Sequence, residues 1–70
     1  MKNLNKEKMI KEFELMKEYE IWAGNFYHQV SLSPKIKDAE IRKTFEDTAK
    51  DESRHAFIIQ KIINVINNNL

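Results

Sequence analysis

This 70-residue sequence predicts an all-α fold: one antiparallel two-helix hairpin that dimerises into a four-helix bundle. Three observations lead there. Apolar residues recur at alternating spacings of four and three through both halves of the chain. One proline-containing break separates the halves. The apolar face of the first half is also too wide for a single partner helix.

The first helix is expected over about 5–32, a stretch with one glycine, Gly24, and no proline. Met9, Phe13, Met16, Glu20, Ala23, Tyr27 and Val30 form its stripe, the positions that face a neighbouring helix. The break falls at Ser31-Leu32-Ser33-Pro34, because proline disfavours a helical residue before it. A turn over 33–38 follows, with room for a short helical turn. Asp38 then supplies an N-cap, with Glu40 adding acid in the first turn. Ser33 with Pro34 at the first helical position is the alternative start. The second helix is expected over about 39–67, fraying through Asn67, Asn68 and Asn69. Its stripe is Ile41, Phe45, Thr48, Glu52, His55, Ile59, Ile62 and Ile66. No repeat, strand pattern or linker interrupts the chain, so residues 1–70 read as a single domain.

Composition narrows the possibilities. A chain this short secures little core alone and draws on disulfides, metals or oligomerisation. There is no cysteine, which removes disulfides, thiolate zinc sites and cysteine nucleophiles. Net charge is +1 with acids and bases well mixed, and no basic stripe suggests a nucleic-acid partner. The N-terminal residues lack the apolar stretch of a signal peptide, and no run approaches the roughly 20 apolar residues of a membrane span. The expected location is the cytoplasm.

Within the two stripes, Glu20, Glu52 and His55 stand out. Carboxylates on a helix–helix seam lose water, at a cost that something positive must offset. Glu20 lies 12 residues before Leu32, roughly 18 Å along the helix, and Glu52 lies 13 residues after Ala39, roughly 20 Å. In an antiparallel hairpin the two acids therefore meet at one height. His55 sits one turn beyond Glu52 on the same face. A metal ion is the natural counter-charge.

Two helices cannot enclose such a site. Leu15, Tyr19, Trp22 and Phe26 make a second apolar stripe beside the first, which a second hairpin would cover. A two-fold dimer gathers four Glu and two His. Two divalent cations then balance four carboxylates, and neutral imidazoles complete the coordination.

A Glu from each of two helices with a Glu-x-x-His from each of the other two is a known arrangement of four-helix bundles. On Glu20 with Tyr27 seven residues later, Asp38-Ala39-Glu40-Ile41-Arg42 and Ala49-Lys50-Asp51-Glu52-Ser53-Arg54-His55-Ala56, the chain resembles a half-length member of the ferritin-like, rubrerythrin-type di-iron carboxylate proteins. The resemblance covers roughly 19–62. It is similar in layout to the encapsulated ferritins, two-helix chains that build their site across a subunit interface.

The resemblance implies that Glu20 is a terminal ligand, Glu52 the bridging carboxylate and His55 a nitrogen ligand. It implies that Tyr27 donates to a ligand carboxylate, and that Asp51 orients His55 of the other chain by accepting its distal N–H. It implies two iron ions per dimer, O₂ or peroxide as co-substrate, and Fe(II) oxidation for iron handling or oxidative-stress protection. Two departures matter. The chain lacks the four cysteines of a rubredoxin-like centre, and Ala23 stands where rubrerythrins carry an additional glutamate. Both favour a six-ligand ferroxidase-type site over rubrerythrin-like peroxide reduction.

Simpler readings stand beside these. Glu-x-x-His occurs by chance on any charged helix, and the seam placement, the level partner Glu20 and Tyr27 outweigh that here. Tyr27 is also an ordinary core aromatic, and Asp51 an ordinary flanking acid. His28 falls one step off the seam and reads as a surface histidine. Ile21 and Phe57 point away from both stripes. Carboxylate-rich ligands with one imidazole per metal suit Fe, and next Mn, better than Zn or Cu(I). A metal-binding module without turnover is the rival to an enzyme.

Overall fold

The computed structural model describes residues 2–69, with side chains from residue 5 onward. Two helices make up the fold: α1, Lys2–Ser31, and α2, Ala39–Asn69. Helix α1 extends three residues beyond the expected start and α2 two beyond the expected end. Cross-helix contacts set the antiparallel register. Lys6 Nζ donates to the Asn67 carbonyl, Lys17 Nζ to Gln60 Oε1 at 2.6 Å, and Arg42 Nη1 to the Ser31 carbonyl. Among the described residues, no helix is long and apolar enough to cross a membrane.

The connection follows from local chemistry. The Ile36 N–H donates to the Ser33 carbonyl at 3.2 Å, with Pro34 at the second position, so the segment forms a β-turn rather than a helical one. Asp38 starts α2: its Oδ1 accepts from the Glu40 and Ile41 N–H groups at 2.9 and 3.0 Å. Arg42 ties the two helices together. Its guanidinium donates to the carbonyls of Ser31 and Ile36, which the end of α1 and the turn leave free, and to the Ser33 carbonyl, which also closes the turn. Ser31, the most deeply buried side chain, turns its hydroxyl onto the His28 carbonyl at 2.6 Å.

The seam keeps to most of the expected stripes, with Ala23, Ile59 and Ile66 buried and Phe13, Glu20, Tyr27, Val30, Phe45, Thr48, Glu52 and Ile62 half-buried, and it broadens onto neighbouring small residues. Ala49, Ala56, Ile59, Ile63 and Ile66 are buried from α2, and Ala23, Gly24 and Ser31 from α1. Met9, Met16 and Ile41, expected on the seam, are exposed; Met16 is 50% exposed. The reason is backbone approach. Interaxial distance depends on the side chains at the contact, and each helix has turned its smallest residues inward at mid-length.

This packing leaves the broad apolar surface that the second stripe of α1 predicts. Leu15, Met16, Tyr19, Trp22 and Phe26 of α1 are exposed, with Trp22 61% exposed and stacked on Phe26 at 5.6 Å between centroids. By helical phase, Ile58, Val65, Asp51 and His55 of α2 share this face, while Ile21 and Phe57 lie on the opposite one. The molecule is a rod of 54 × 14 × 10 Å with a radius of gyration of 16.1 Å, against about 11 Å for a compact chain of this length. Its accessible surface is 5773 Å², and a compact monomer of this mass exposes roughly 4,600 Å².

Candidate metal centre

Midway along the rod, the hairpin brings Glu20, Glu52 and His55 together. Each offers one ligand atom, and the three atoms lie within 4.8 Å of one another. Helical rise places Glu20 and Glu52 at one height from the turn, and the three-residue spacing puts His55 one turn from Glu52. His55 Nδ1 stands 3.6 Å from Glu20 Oε2, too far for a good hydrogen bond.

The electrostatics of this cluster are unresolved by protein atoms alone. Glu20 Oε2 is buried and has no hydrogen-bond partner among the described residues. Leaving such an atom unpaired costs about 1–3 kcal/mol, and more for a charged group. The Glu52 carboxyl is held above its ordinary value, first by hydrogen bonding with the Glu20 carboxyl, then by loss of water, then by the charge on Glu20. Asp51 adds to the rise, and His55 opposes it. Two carboxylates that cannot comfortably ionise together, a buried oxygen without a donor and an imidazole within reach form a donor set suited to a divalent cation. Small side-chain rotations suffice for one ion to touch all three groups.

The other expected residues are placed less centrally. Tyr27 is half-buried, its ring against Phe26 and Phe45 at 5.8 and 6.0 Å between centroids. Asp51 is exposed and pairs at 3.5 Å with Arg54 of its own helix. His28 is exposed, at an open groove of about 540 Å³ that it shares with Asn25, Glu46 and Ser53. His55 itself is only half covered, its side chain 46% exposed, so one hairpin leaves the cluster open on its aromatic-rich face.

The residues that shape the centre without ligating were not expected from the stripes. Gly24, Ala49 and Ala56 pinch the helices together around Glu52. Ala49 and Ala56 lie seven residues apart and bracket Glu52, a pattern visible in the sequence but adjacent to the stripe first read there.

An α-helical hairpin holding level glutamates and a Glu-x-x-His on one seam defines a half-length ferritin-like carboxylate protein. The Rubrerythrin family model matches residues 17–70, and the chain belongs to that family. The match spans the second half of α1, all of α2 and all three clustered residues, and the family supports metal binding of the di-iron carboxylate type. No curated protein and no solved structure matches the chain.

Proposed function

We infer that two copies of this chain pack as a four-helix bundle and share a two-iron centre at which Fe(II) is oxidised by O₂. The observation that carries this reading is the buried, unpartnered Glu20 oxygen facing Glu52 and His55 on a seam open to one side. The hairpin exposes roughly 1,200 Å² more than a compact monomer of its mass, which exceeds the roughly 800 Å² each partner buries in an ordinary stable interface. A second hairpin laid on the Leu15–Phe26 face covers that surface and closes the site at once.

In such a bundle each chain supplies Glu20, Glu52 and His55, and the four carboxylates offset the charge of two divalent cations. Two bound Fe(II) ions would together supply two electrons, which with two protons reduce one O₂ to hydrogen peroxide as both ions become Fe(III). Glu52, clustered with Glu20 and His55, would be the carboxylate shared by both ions, and any proton it holds would leave as cations arrive. Glu20 anchors from α1, and His55 donates a nitrogen. Asp51, exposed beside His55 on the face that the second copy covers, orients the His55 of the other chain. Tyr27 donates its hydroxyl toward a ligand carboxylate once the bundle has formed. Ala23 in place of an additional acid keeps the set at six protein ligands, which supports Fe(II) oxidation over peroxide reduction. Manganese is the other metal these ligands suit.

The test is metal content followed by turnover. Purified protein should carry about one iron per chain and oxidise Fe(II) in air faster than buffer alone. Glu52→Ala should lower that rate by at least about tenfold. Iron binding without oxidation would reassign the protein as a metal-holding module, and a stable metal-free dimer that takes up neither Fe nor Mn would remove the metal reading.

A further inference from the structure

Gly24 is buried in the interior of α1, one turn from Glu20 and directly across from Glu52. Glycine there costs the helix about 0.8–1.0 kcal/mol relative to alanine. The backbone gives no conformational reason for it, since φ is not positive. The reason is proximity. A Cβ at this position would stand 3.4 Å from the Glu52 Cβ, 3.5 Å from the Ala49 carbonyl oxygen and 3.7 Å from Ser53 Oγ. One added carbon fits in ordinary contact with α2, and a branched side chain would bring further atoms toward the Ala49 carbonyl and the stem of Glu52.

Small residues continue on the facing helix. Ala49 lies three residues before Glu52 and Ala56 four after it, both buried. Towards the open end of the hairpin, the bulky Ile59, Ile63 and Ile66 take over the seam. The smallest buried seam residues therefore sit at the height of the ligand cluster. We propose that Gly24 is a positioning residue for the carboxylate pair: its missing side chain lets α1 and α2 close at the height of Glu52, and that closeness holds Glu20 and Glu52 near enough to share a cation. This rests on the metal-binding reading of Glu20, Glu52 and His55, and adds what sets their spacing.

The experiment is a graded series in the full chain, with Mn(II) as the probe. Affinity is read by titration calorimetry, and helicity and melting are read separately on the metal-free protein. Gly24→Ala should keep Mn(II) affinity within about twofold and melt higher without metal, because the helix gains propensity. Gly24→Val should bind Mn(II) at least about tenfold more weakly while the metal-free protein stays helical. The EPR spectrum of Mn(II) should differ between wild type and Gly24→Val and agree between wild type and Gly24→Ala. Equal affinity in wild type and Gly24→Val would overturn the positioning role, as would an equal loss in Gly24→Ala and Gly24→Val. If Gly24→Val does not fold, Gly24→Ser replaces it, one atom longer than alanine: weaker binding than Gly24→Ala supports the role and equal binding overturns it. Wild-type protein that binds neither Mn(II) nor, under anaerobic titration, Fe(II) is a separate outcome, which removes the metal reading and this role together.

Discussion

The two helices differ in how far the hairpin satisfies them. Helix α2 turns Ala49, Ala56, Ile59, Ile63 and Ile66 onto its neighbour and buries all five. Among its described residues helix α1 buries only Ala23, Gly24 and Ser31, and it leaves Leu15, Met16, Tyr19, Trp22 and Phe26 in water. One helix is largely finished by folding; the other has a second apolar face with nothing against it. The candidate ligands Glu20, Glu52 and His55 sit on the boundary between the two conditions, which is why Glu20 is mostly covered while His55 is half exposed. Under the proposed dimer, a site on such a boundary is assembled in part by folding and in part by association.

The sharpest break of that contrast is Trp22→Glu. A carboxylate placed in an apolar contact costs several kcal/mol, so this variant should sediment as a monomer and lose metal-dependent stabilisation. Phe57→Glu, on the opposite face of the rod, should sediment as wild type. A dimeric Trp22→Glu protein would move the interface elsewhere.

Next in size is Ile63→Ala, on the finished side of α2. Emptying a buried isoleucine position costs about 2–5 kcal/mol, read as a lower urea midpoint at matched protein concentration. Val65→Ala, two residues on and exposed, should cost less where hairpins stay apart and more where they associate. Comparing the two across concentration separates folding from assembly.

Asp38→Ala removes the carboxylate that accepts from the Glu40 and Ile41 N–H groups. It should lower the thermal midpoint by an amount equivalent to about 1 kcal/mol and leave the dimer intact.

The smallest effect is confined to pH. Because Glu52 holds its proton more tightly folded than unfolded, the folded state binds the extra proton, and metal-free stability from this group falls as pH rises from the ordinary carboxylate range through the raised value. In chelator, Glu52→Gln should therefore melt above wild type at neutral pH, and the gap should close as pH falls. A constant gap across the range would show that Glu52 is not strained by Glu20.

Much of the fold could be read locally. The helices, the break at Pro34, the Asp38 cap and the common height of Glu20 and Glu52 all follow from a 1.5 Å rise per residue and from side chains acting on their own backbone. Arg42 was less legible, because the carbonyls it satisfies belong to the end of α1 and the turn. The waist at Gly24, Ala49 and Ala56 was also missed. Reading stripes by apolarity ranks Met9, Met16 and Ile41 above glycine and alanine, although small residues permit the closest approach.

What the sequence determined by itself was therefore the length, direction and punctuation of two helices, and which residues stand level along them. The tertiary structure decided how far each helix is rotated about its own axis. On a helix whose apolar arc is wider than one partner can cover, several rotations bury hydrophobic area. Backbone proximity at the Gly24 waist chose among them, burying the small residues beside Glu20 and Glu52 and leaving the aromatic ridge outside.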